Sequence, residues 1–291
     1  KKKVFFTISL VLIAAGVITI GVNAGRGKGA FAYSLEFQGG TSTNVTFDKD
    51  YSIDEIDKEI VPVVEKVTGD NNVQTQKVAG TNQVIIKTVT LDLDKREALN
   101  QAMVDNFGVD ESKITAENIS STVSNEMRRD AVIAVVIATI CMLLYIWFRF
   151  KDIRFATSAV LALLHDVLVV VGFYAIARIS VGNTFIACML TIVGYSINAT
   201  IVIFDRIREE MRGKTKSSDV AAVVNKSITQ TLTRSIYTSL TTFIMVAVLY
   251  VMGVSSIKEF ALPLMVGVVC GAYSSVCITG ALWYVMKRFK K

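Results

Sequence analysis

The chain has 291 residues, of which 52% are hydrophobic, and its mean hydropathy is +0.49. Its charged residues, 19% of the total, fall in clusters that leave long uncharged runs between them. A soluble globular protein is excluded, because these runs are long enough to cross a bilayer. The net charge of +6 lies mainly at the ends of the runs, which is typical of membrane anchoring, so we expect no nucleic-acid partner.

Six apolar segments of about 18 or more residues predict six transmembrane helices. They are Val4–Val22, Ala131–Phe148, Phe155–Ala177, Thr184–Phe204, Ser235–Val254 and Phe260–Met286. We therefore predict a first transmembrane helix over residues 1–22 and a five-helix membrane region over 130–291, with a cytoplasmic loop at 205–232. A cleavable signal peptide is the alternative for the first segment, which is longer than the apolar core of a typical signal sequence.

Lysine and arginine residues near the segment ends predict the orientation. They concentrate on one side of the six crossings: at both chain ends, after the second segment and after the fourth. We expect a multi-pass membrane protein, in contact with membrane lipid, with both termini in the cytoplasm. Residues 23–129, which contain 17 acidic and 12 basic residues, are then expected outside the cytoplasm.

Residues 23–129 have the patterns of a globular domain. Short strand-like segments alternate with two amphipathic helical segments, and Ser52 and Glu55 have the spacing of a capping box at the start of the first helix. The order β-α-β-β-α-β predicts an extracytoplasmic α+β domain of the ferredoxin-like type, attached to the six-helix membrane bundle. This stretch has no histidine and no cysteine, so we expect no catalytic site, metal or cofactor in it.

Small residues mark positions of close approach. Gly39 and Gly40 precede the predicted domain and form either a simple turn or a hinge between the membrane and the domain. Gly267 and Gly271 have the spacing of a helix-packing face. All four cysteines lie in the apolar segments, where we interpret them as packing residues.

Polar residues inside the apolar segments are the main functional signal, because such groups are costly in lipid and usually face a bundle interior or a polar pathway. The fourth segment contains Asn198 and Thr200 and is followed by Asp205. The third contains the only histidine, His165, beside Asp166. Adjacent positions on a helix point about 100° apart, so we expect that the pair cannot face one partner. Both a proton relay and purely structural hydrogen bonds remain open for it.

Arg234 begins the fifth segment in a tract rich in serine and threonine. If that helix starts near Ser227, Arg234 lies roughly 10 Å into the membrane at about 1.5 Å per residue, and it then needs an acceptor. Asn198 and Thr200 are the candidate neighbours. Residues 213–215 resemble the end of a phosphate-binding loop without its first glycine, so we expect no nucleotide cofactor.

Several motifs together resemble the SecF family of bacterial protein-export membrane proteins, within the resistance-nodulation-division superfamily. They are Leu35–Gly40, Leu163–Val167, Gly194–Asn198, Ile203–Glu209, Thr231–Ser235, Lys258–Ala261 and Gly271–Ser275. The resemblance covers nearly the whole chain. It implies that the chain lies in the bacterial cytoplasmic (inner) membrane and pairs with SecD as one of two pseudo-symmetric halves beside the Sec translocon channel. Whether it is a free subunit or part of a fused SecD–SecF chain stays open.

The resemblance also implies a mechanism, in which a proton or sodium gradient promotes the late stage of preprotein export. The family's relay aspartate is expected directly after Asn198 and facing Arg234, but this chain has Ala199 there. A methyl group cannot take up a proton. Either Ala199 is an engineered substitution that blocks the relay, or it is a natural variant in which protons follow another route. The expected relay positions are Ala199, Arg234, Asn198, Thr200, His165, Asp166 and Asp205.

Two other functions remain as alternatives. A half-transporter that exports lipids or small molecules predicts a sizeable apolar cavity in the exported domain. An intramembrane enzyme would use Asp166 and Asp205 as an acid–base pair, and this requires the two carboxylates to lie close together. We expect the chain not to be an enzyme.

Overall fold

The computed structural model describes residues 2–25, 29–71, 73–78, 80–150, 152–212, 219–253 and 255–288. The chain divides into two compact units, one formed by Lys1–Ala32 with Val132–Lys291 and the other by Tyr33–Ala131. We call them the helical unit and the α+β unit. The phosphate-loop-like residues 213–215 and the basic chain ends at Lys1 and 290–291 lie outside the described residues.

The helices and strands of the described chain, from the N-terminus to the C-terminus, have the following bounds. They are α1 (Lys2–Gly25), β1 (Ala32–Tyr33), α2 (Leu35–Gln38), β2 (Gly40–Thr46), α3 (Ile53–Glu55), a π turn (Ile56–Ile60), α4 (Val61–Thr68), β3 (Gln74–Lys77), β4 (Gln83–Thr88), α5 (Leu93–Phe107), a 3-10 turn (Glu111–Lys113), β5 (Ile114–Ile119), α6 (Ser121–Phe150), α7 (Ile153–Ala177), β6 (Ser180–Val181), α8 (Asn183–Met211), α9 (Val220–Met252), α10 (Ser255–Ser274), a second π turn (Ser275–Thr279) and α11 (Gly280–Arg288).

Six helices of the described chain are long and apolar enough to cross a membrane. Five are α1, α6, α7, α8 and α9. The sixth is one continuous helical segment made of α10, the second π turn and α11. The six-helix membrane bundle predicted from hydropathy is therefore confirmed.

The structure extends three membrane helices beyond their predicted ends, and the first of them, α6, begins at Ser121 instead of Ala131. α9 begins at Val220, before the apolar segment that starts at Ser235 and before the helix start considered near Ser227. α8 continues to Met211. The described parts of the predicted loop 205–232 are therefore mostly helical, and the connection between the two helices is short.

Local polar contacts explain the extensions of α8 and α9 beyond the apolar segments. Arg206 pairs with Glu209 at 2.6 Å and with Glu210 at 3.1 Å, one turn further along α8. Asp219 caps α9 by accepting a hydrogen bond from the backbone N–H of Ala221 at 2.9 Å. Ion pairs one turn apart and N-caps stabilise a helix in water, so a helix can extend beyond its apolar segment.

Two glycines set the closest contact between α1 and α7. A Cβ built on Gly16 would lie 2.7 Å from the Cα of Gly172, and one built on Gly172 would lie 2.9 Å from the Cα of Gly16. The backbones can approach this closely only without side chains at either position. Sequence reasoning missed this contact, because the two glycines belong to different segments and form no motif.

The glycines predicted to pack helices lie between α10 and α8. A Cβ on Gly267 would collide with the side chain of Ile192, and one on Gly271 would lie 3.3 Å from the Cβ of Ser196. The contact at Gly271 brings α10 and α8 together beside the polar residues described below.

The α+β unit contains a four-stranded antiparallel sheet in the order β3-β4-β2-β5. The chain order of strands and helices is β-α-β-β-α-β, so the predicted ferredoxin-like arrangement is confirmed. In β4 the buried residues alternate with partly exposed ones, as expected for a sheet covered on one face. The fully buried side chains of Val45, Ile60, Ile86, Leu99 and Met103 form the centre of its core.

The predicted capping box is present at the start of α3. Ser52 Oγ accepts a hydrogen bond from the backbone N–H of Glu55 at 3.3 Å, and Glu55 Oε2 accepts from the backbone N–H of Ser52 at 2.7 Å. Lys49 Nζ lies 2.8 Å from Glu55 Oε1. Hydrogen bonds from Lys49 and Ser52 lower the pKa of Glu55 to about 2, because they stabilise its ionised form.

Gly39 and Gly40 connect α2 to β2 with φ angles of 73° and 123°. A Cβ on Gly40 would collide with the carbonyl oxygen of Thr88, and one on Gly39 would lie 3.2 Å from Ser124 Oγ. Glycine is therefore required for a close approach inside the α+β unit. The hinge role stays a prediction.

Candidate functional site

A buried aspartate lies at the centre of the helical unit. Asp166 of α7 is 0% exposed, and four side chains contact its carboxylate. His165 Nδ1 at 2.9 Å and Cys270 Sγ at 3.3 Å lie next to Oδ1. Ser196 Oγ donates to Oδ2 at 2.5 Å, and Ser274 Oγ donates to the same atom at 2.7 Å. We call these five residues the aspartate cluster.

Three helices build the aspartate cluster. α7 supplies the histidine and the aspartate, α8 supplies Ser196, and α10 supplies Cys270 and Ser274 one turn apart. The second π turn begins directly after Ser274, and Thr279 Oγ1 donates to the carbonyl oxygen of Ser274 at 3.0 Å. π turns inside helices often mark functional positions, and this one adjoins the carboxylate.

Two expectations about this region are wrong. Cys270 Sγ lies 3.3 Å from Asp166 Oδ1 and 4.0 Å from His165 Nδ1, so the adjacent residues do face one partner. Rotation about the side-chain bonds turns both groups toward each other and overcomes the angle between their Cα–Cβ directions. Cys270 also does more than pack, because its thiol donates to the carboxylate.

The aspartate cluster also contains a donor set of the kind that metals use. One ligand atom each from His165, Asp166 and Cys270 lies within 4.8 Å of the others. Imidazole, carboxylate and thiolate together are typical zinc ligands. Two serine hydroxyls and the Cys270 thiol already donate hydrogen bonds to the carboxylate, and a metal would have to replace the thiol proton.

A second polar site lies between α8 and α9. It is a cavity of about 60 Å³. It is lined by Tyr195, Asn198, Ala199, Val202, Arg234, Ser235, Thr238 and Ser239. We call it the arginine cavity. Tyr195 Oη donates to Ser239 Oγ at 2.8 Å and joins the two helices there.

The structure divides the predicted relay residues among four places, one of which is the aspartate cluster with His165 and Asp166. Asn198, Ala199 and Arg234 share the arginine cavity. Thr200 is buried at 1% exposure and does not line that cavity. Asp205 forms an ion pair with Arg149 of α6 at 2.7 Å, so it belongs to neither polar site.

Helix α8 separates the two polar sites. Ser196 contacts Asp166, whereas Tyr195 and Ala199 line the arginine cavity. At about 100° per residue, Tyr195 and Ala199 lie roughly 100° and 60° around the helix axis from Ser196, so neighbouring strips of α8 supply the two sites. Sequence reasoning missed the roles of Cys270 and Ser274, because their only signal was small size at helix-packing spacing.

Comparison with known proteins identifies the family. The sequence profile described as "Protein export membrane protein SecD/SecF, C-terminal" matches residues 99–289. The protein translocase subunit SecF of Sebaldella termitidis is 36% identical over 288 residues, which is 99% of this chain and 90% of that protein. The chain belongs to the SecD/SecF family. SecF of Petrotoga mobilis is also 36% identical, over 298 residues covering 100% of this chain and 96% of that protein.

A solved structure of a SecD/SecF family protein shares the fold. The crystal structure of SecDF, a translocon-associated membrane protein from Thermus thermophilus, matches with a TM-score of 0.82 and 30% identity. The match covers 99% of this chain and 38% of that protein. The chain likewise matches 37% of the protein translocase subunit SecDF of Bacillus subtilis, at 35% identity. It therefore spans less than two fifths of these fused proteins.

Proposed function

We propose that this chain is a SecF-type auxiliary subunit of the Sec protein translocase, and not an enzyme. With SecD it uses a proton or sodium gradient to promote the late stage of preprotein export. The observation that carries the use of a gradient is the fully buried Asp166, which four polar side chains contact inside a membrane bundle. An intramembrane carboxylate of this kind is typical of ion pathways.

SecD is the proposed partner in the membrane. In the apolar stretches of α6 and α9, only 6% and 11% of the residues are buried, against 44% in α7. These helices therefore present wide apolar surfaces, which suit contact with lipid and with SecD helices. The fused SecDF proteins of Bacillus subtilis and Thermus thermophilus support this pairing. The Sec channel and the emerging preprotein are proposed as further partners.

We place the chain in the bacterial cytoplasmic membrane with both termini in the cytoplasm. The predicted domains then become a first membrane helix at 1–22, an exported α+β domain at 23–129 and a five-helix membrane region at 130–291. The distribution of lysine and arginine at the helix ends supports this orientation.

The alanine at position 199 leaves the arginine cavity without a group that can carry a proton. Arg234 is a cation, and none of the other side chains that line the cavity is a carboxylate or an imidazole. We propose that an aspartate at position 199 restores the relay, and that the chain with Ala199 has reduced activity.

Preprotein processing in cells depleted of their own SecF tests this proposal, with each variant co-expressed with the matching SecD. We expect Ala199→Asp to restore processing at least tenfold better than Ala199. Ala199→Asn is the matched control, because it adds similar volume without a titratable group, and it should behave like Ala199. If Ala199 and Ala199→Asp restore processing equally, the relay does not use position 199. In that case Asp166→Asn should abolish preprotein processing. If no variant restores processing although each assembles with SecD, the proposed function is wrong.

The structure does not favour the two alternative functions. A lipid or drug exporter predicts a sizeable apolar cavity in the α+β unit, but the cavity described there, of about 280 Å³, has Asp70, Gln74 and Lys87 in its wall. The proposed enzyme needs Asp166 and Asp205 as a pair. Each instead has its own partners, on different helices.

A further inference from the structure

Arg234 is a cation that no acidic residue of the described chain pairs with. Its side chain forms no hydrogen bond or ion pair with any residue in the described part of the chain. It lies in α9, within a helix that is apolar enough to span a membrane, and it is exposed on the surface of this chain. A cation at membrane depth is costly, and such residues almost always pair with another group.

Nothing described in the wall of the arginine cavity supplies that partner. No acidic residue lines it. Asp166 is held by the donors of the aspartate cluster, and Asp205 is held by Arg149 at 2.7 Å. Ala199, which faces the cavity from α8, offers only a methyl group.

The remaining wall of the cavity is rich in hydrogen-bond donors. The amide of Asn198 and the hydroxyls of Ser235 and Ser239 join the guanidinium in lining it. Because Ser239 Oγ accepts the proton of Tyr195 Oη at 2.8 Å, its own proton is free to donate elsewhere. A cation beside N–H and O–H donors has the composition of an anion site, and this site is partly open because Arg234 and Asn198 are exposed.

The size of the cavity limits the anion. Its volume is about 60 Å³, and one water molecule needs roughly 10–15 Å³ by the same kind of measure. There is room for a small ion together with one or a few waters. We propose that the arginine cavity binds a small monovalent anion, either chloride or a carboxylate of the size of formate. The anion balances the charge of Arg234 in the absence of a carboxylate at position 199.

Anion binding goes beyond the proposed export function and can be measured without it. The purified full chain is placed in phosphatidylcholine nanodiscs in a gluconate buffer, and chloride is titrated while the width of the ³⁵Cl NMR signal is followed. We expect saturable broadening that formate displaces and that the larger, divalent sulfate does not. Absence of saturable broadening, or failure of formate to displace chloride, overturns the proposal.

Three variants locate the site. Arg234→Gln should weaken chloride binding at least tenfold. Ala199→Asp should also weaken chloride binding at least tenfold, because its carboxylate would occupy the cavity. This variant keeps the arginine, so the test does not depend on whether Arg234→Gln folds. Arg129→Gln is the matched control, since it removes the same charge from a side chain that is 69% exposed, and it should bind like the parent. Equal binding by all variants overturns the proposal, whatever the export assay shows.

Discussion

At the scale of single residues, Asp166 shows how this protein tolerates a charge inside its bundle. A buried carboxylate is unfavourable unless hydrogen bonds replace the water it has lost. Four side chains take the place of that water, with two contacts on each carboxylate oxygen: His165 and Cys270 on Oδ1, and Ser196 and Ser274 on Oδ2. The cluster is therefore stable only as a set, and losing the central acceptor leaves several buried donors unpaired.

Asp166→Asn should destabilise the helical unit. The amide nitrogen would face donors where an oxygen accepted two hydrogen bonds, so we expect a loss of about 1–3 kcal/mol and a lower unfolding midpoint. Asp205→Asn is the control, because the ion pair of Asp205 with Arg149 is 39% exposed on both sides and should contribute about 1 kcal/mol or less. Thermal unfolding of the purified chain measures both, and equal shifts would contradict a special role for the cluster.

At the scale of helices, backbone proximity decides how the bundle packs. α1 and α7 touch through Gly16 and Gly172, whose backbones leave no room for a Cβ. Between helices in lipid, association depends on van der Waals contact and hydrogen bonds, since the lipid tails are as apolar as the side chains. Asn23 adds such a bond, with Nδ2 donating to the carbonyl oxygen of Ala175 at 3.1 Å.

Gly16→Val should separate α1 from α7. The added side chain would overlap the backbone of Gly172, and overpacking of this kind costs about 1–3 kcal/mol. Gly21→Val on the same helix is the matched control, because a Cβ there meets nothing within 4 Å. Thermal unfolding in nanodiscs measures the effect, and a control that loses as much stability as Gly16→Val would show that the glycine contact is unimportant.

At the scale of the whole molecule, composition differs sharply between the two compact units. Residues 23–129, which include most of the α+β unit, have five more acidic than basic residues, from 17 acidic and 12 basic. The whole chain is nevertheless at +6, so the rest carries a net charge of +11. Basic residues near membrane helices favour the cytoplasmic side, so the acidic stretch and the basic helix ends are expected on opposite sides of the membrane.

Single-cysteine labelling tests this orientation. In a chain whose four native cysteines are replaced, a cysteine at the exposed Arg212, directly after α8, should react with an impermeant maleimide only after the cytoplasmic membrane is opened. A cysteine at the exposed Asp54, in the α+β unit, should react in spheroplasts without this step. The reverse pattern would overturn the proposed topology.

The sequence by itself determined the elements that depend on local physics. Hydropathy located the six membrane helices, and alternation with a capping box located the βαββαβ order, because burial and helix initiation act over a few neighbouring residues. Only the tertiary structure decided which polar residues meet. Ser196 and Ser274 are distant from Asp166 in the chain, and their contacts with it depend on the packing of α7, α8 and α10. The same packing places Arg234 and Ala199 in the wall of one cavity and brings Asp205 into an ion pair with Arg149. Contacts across the bundle set the rotation and depth of each helix, and the hydrophobic period of a single helix does not determine them.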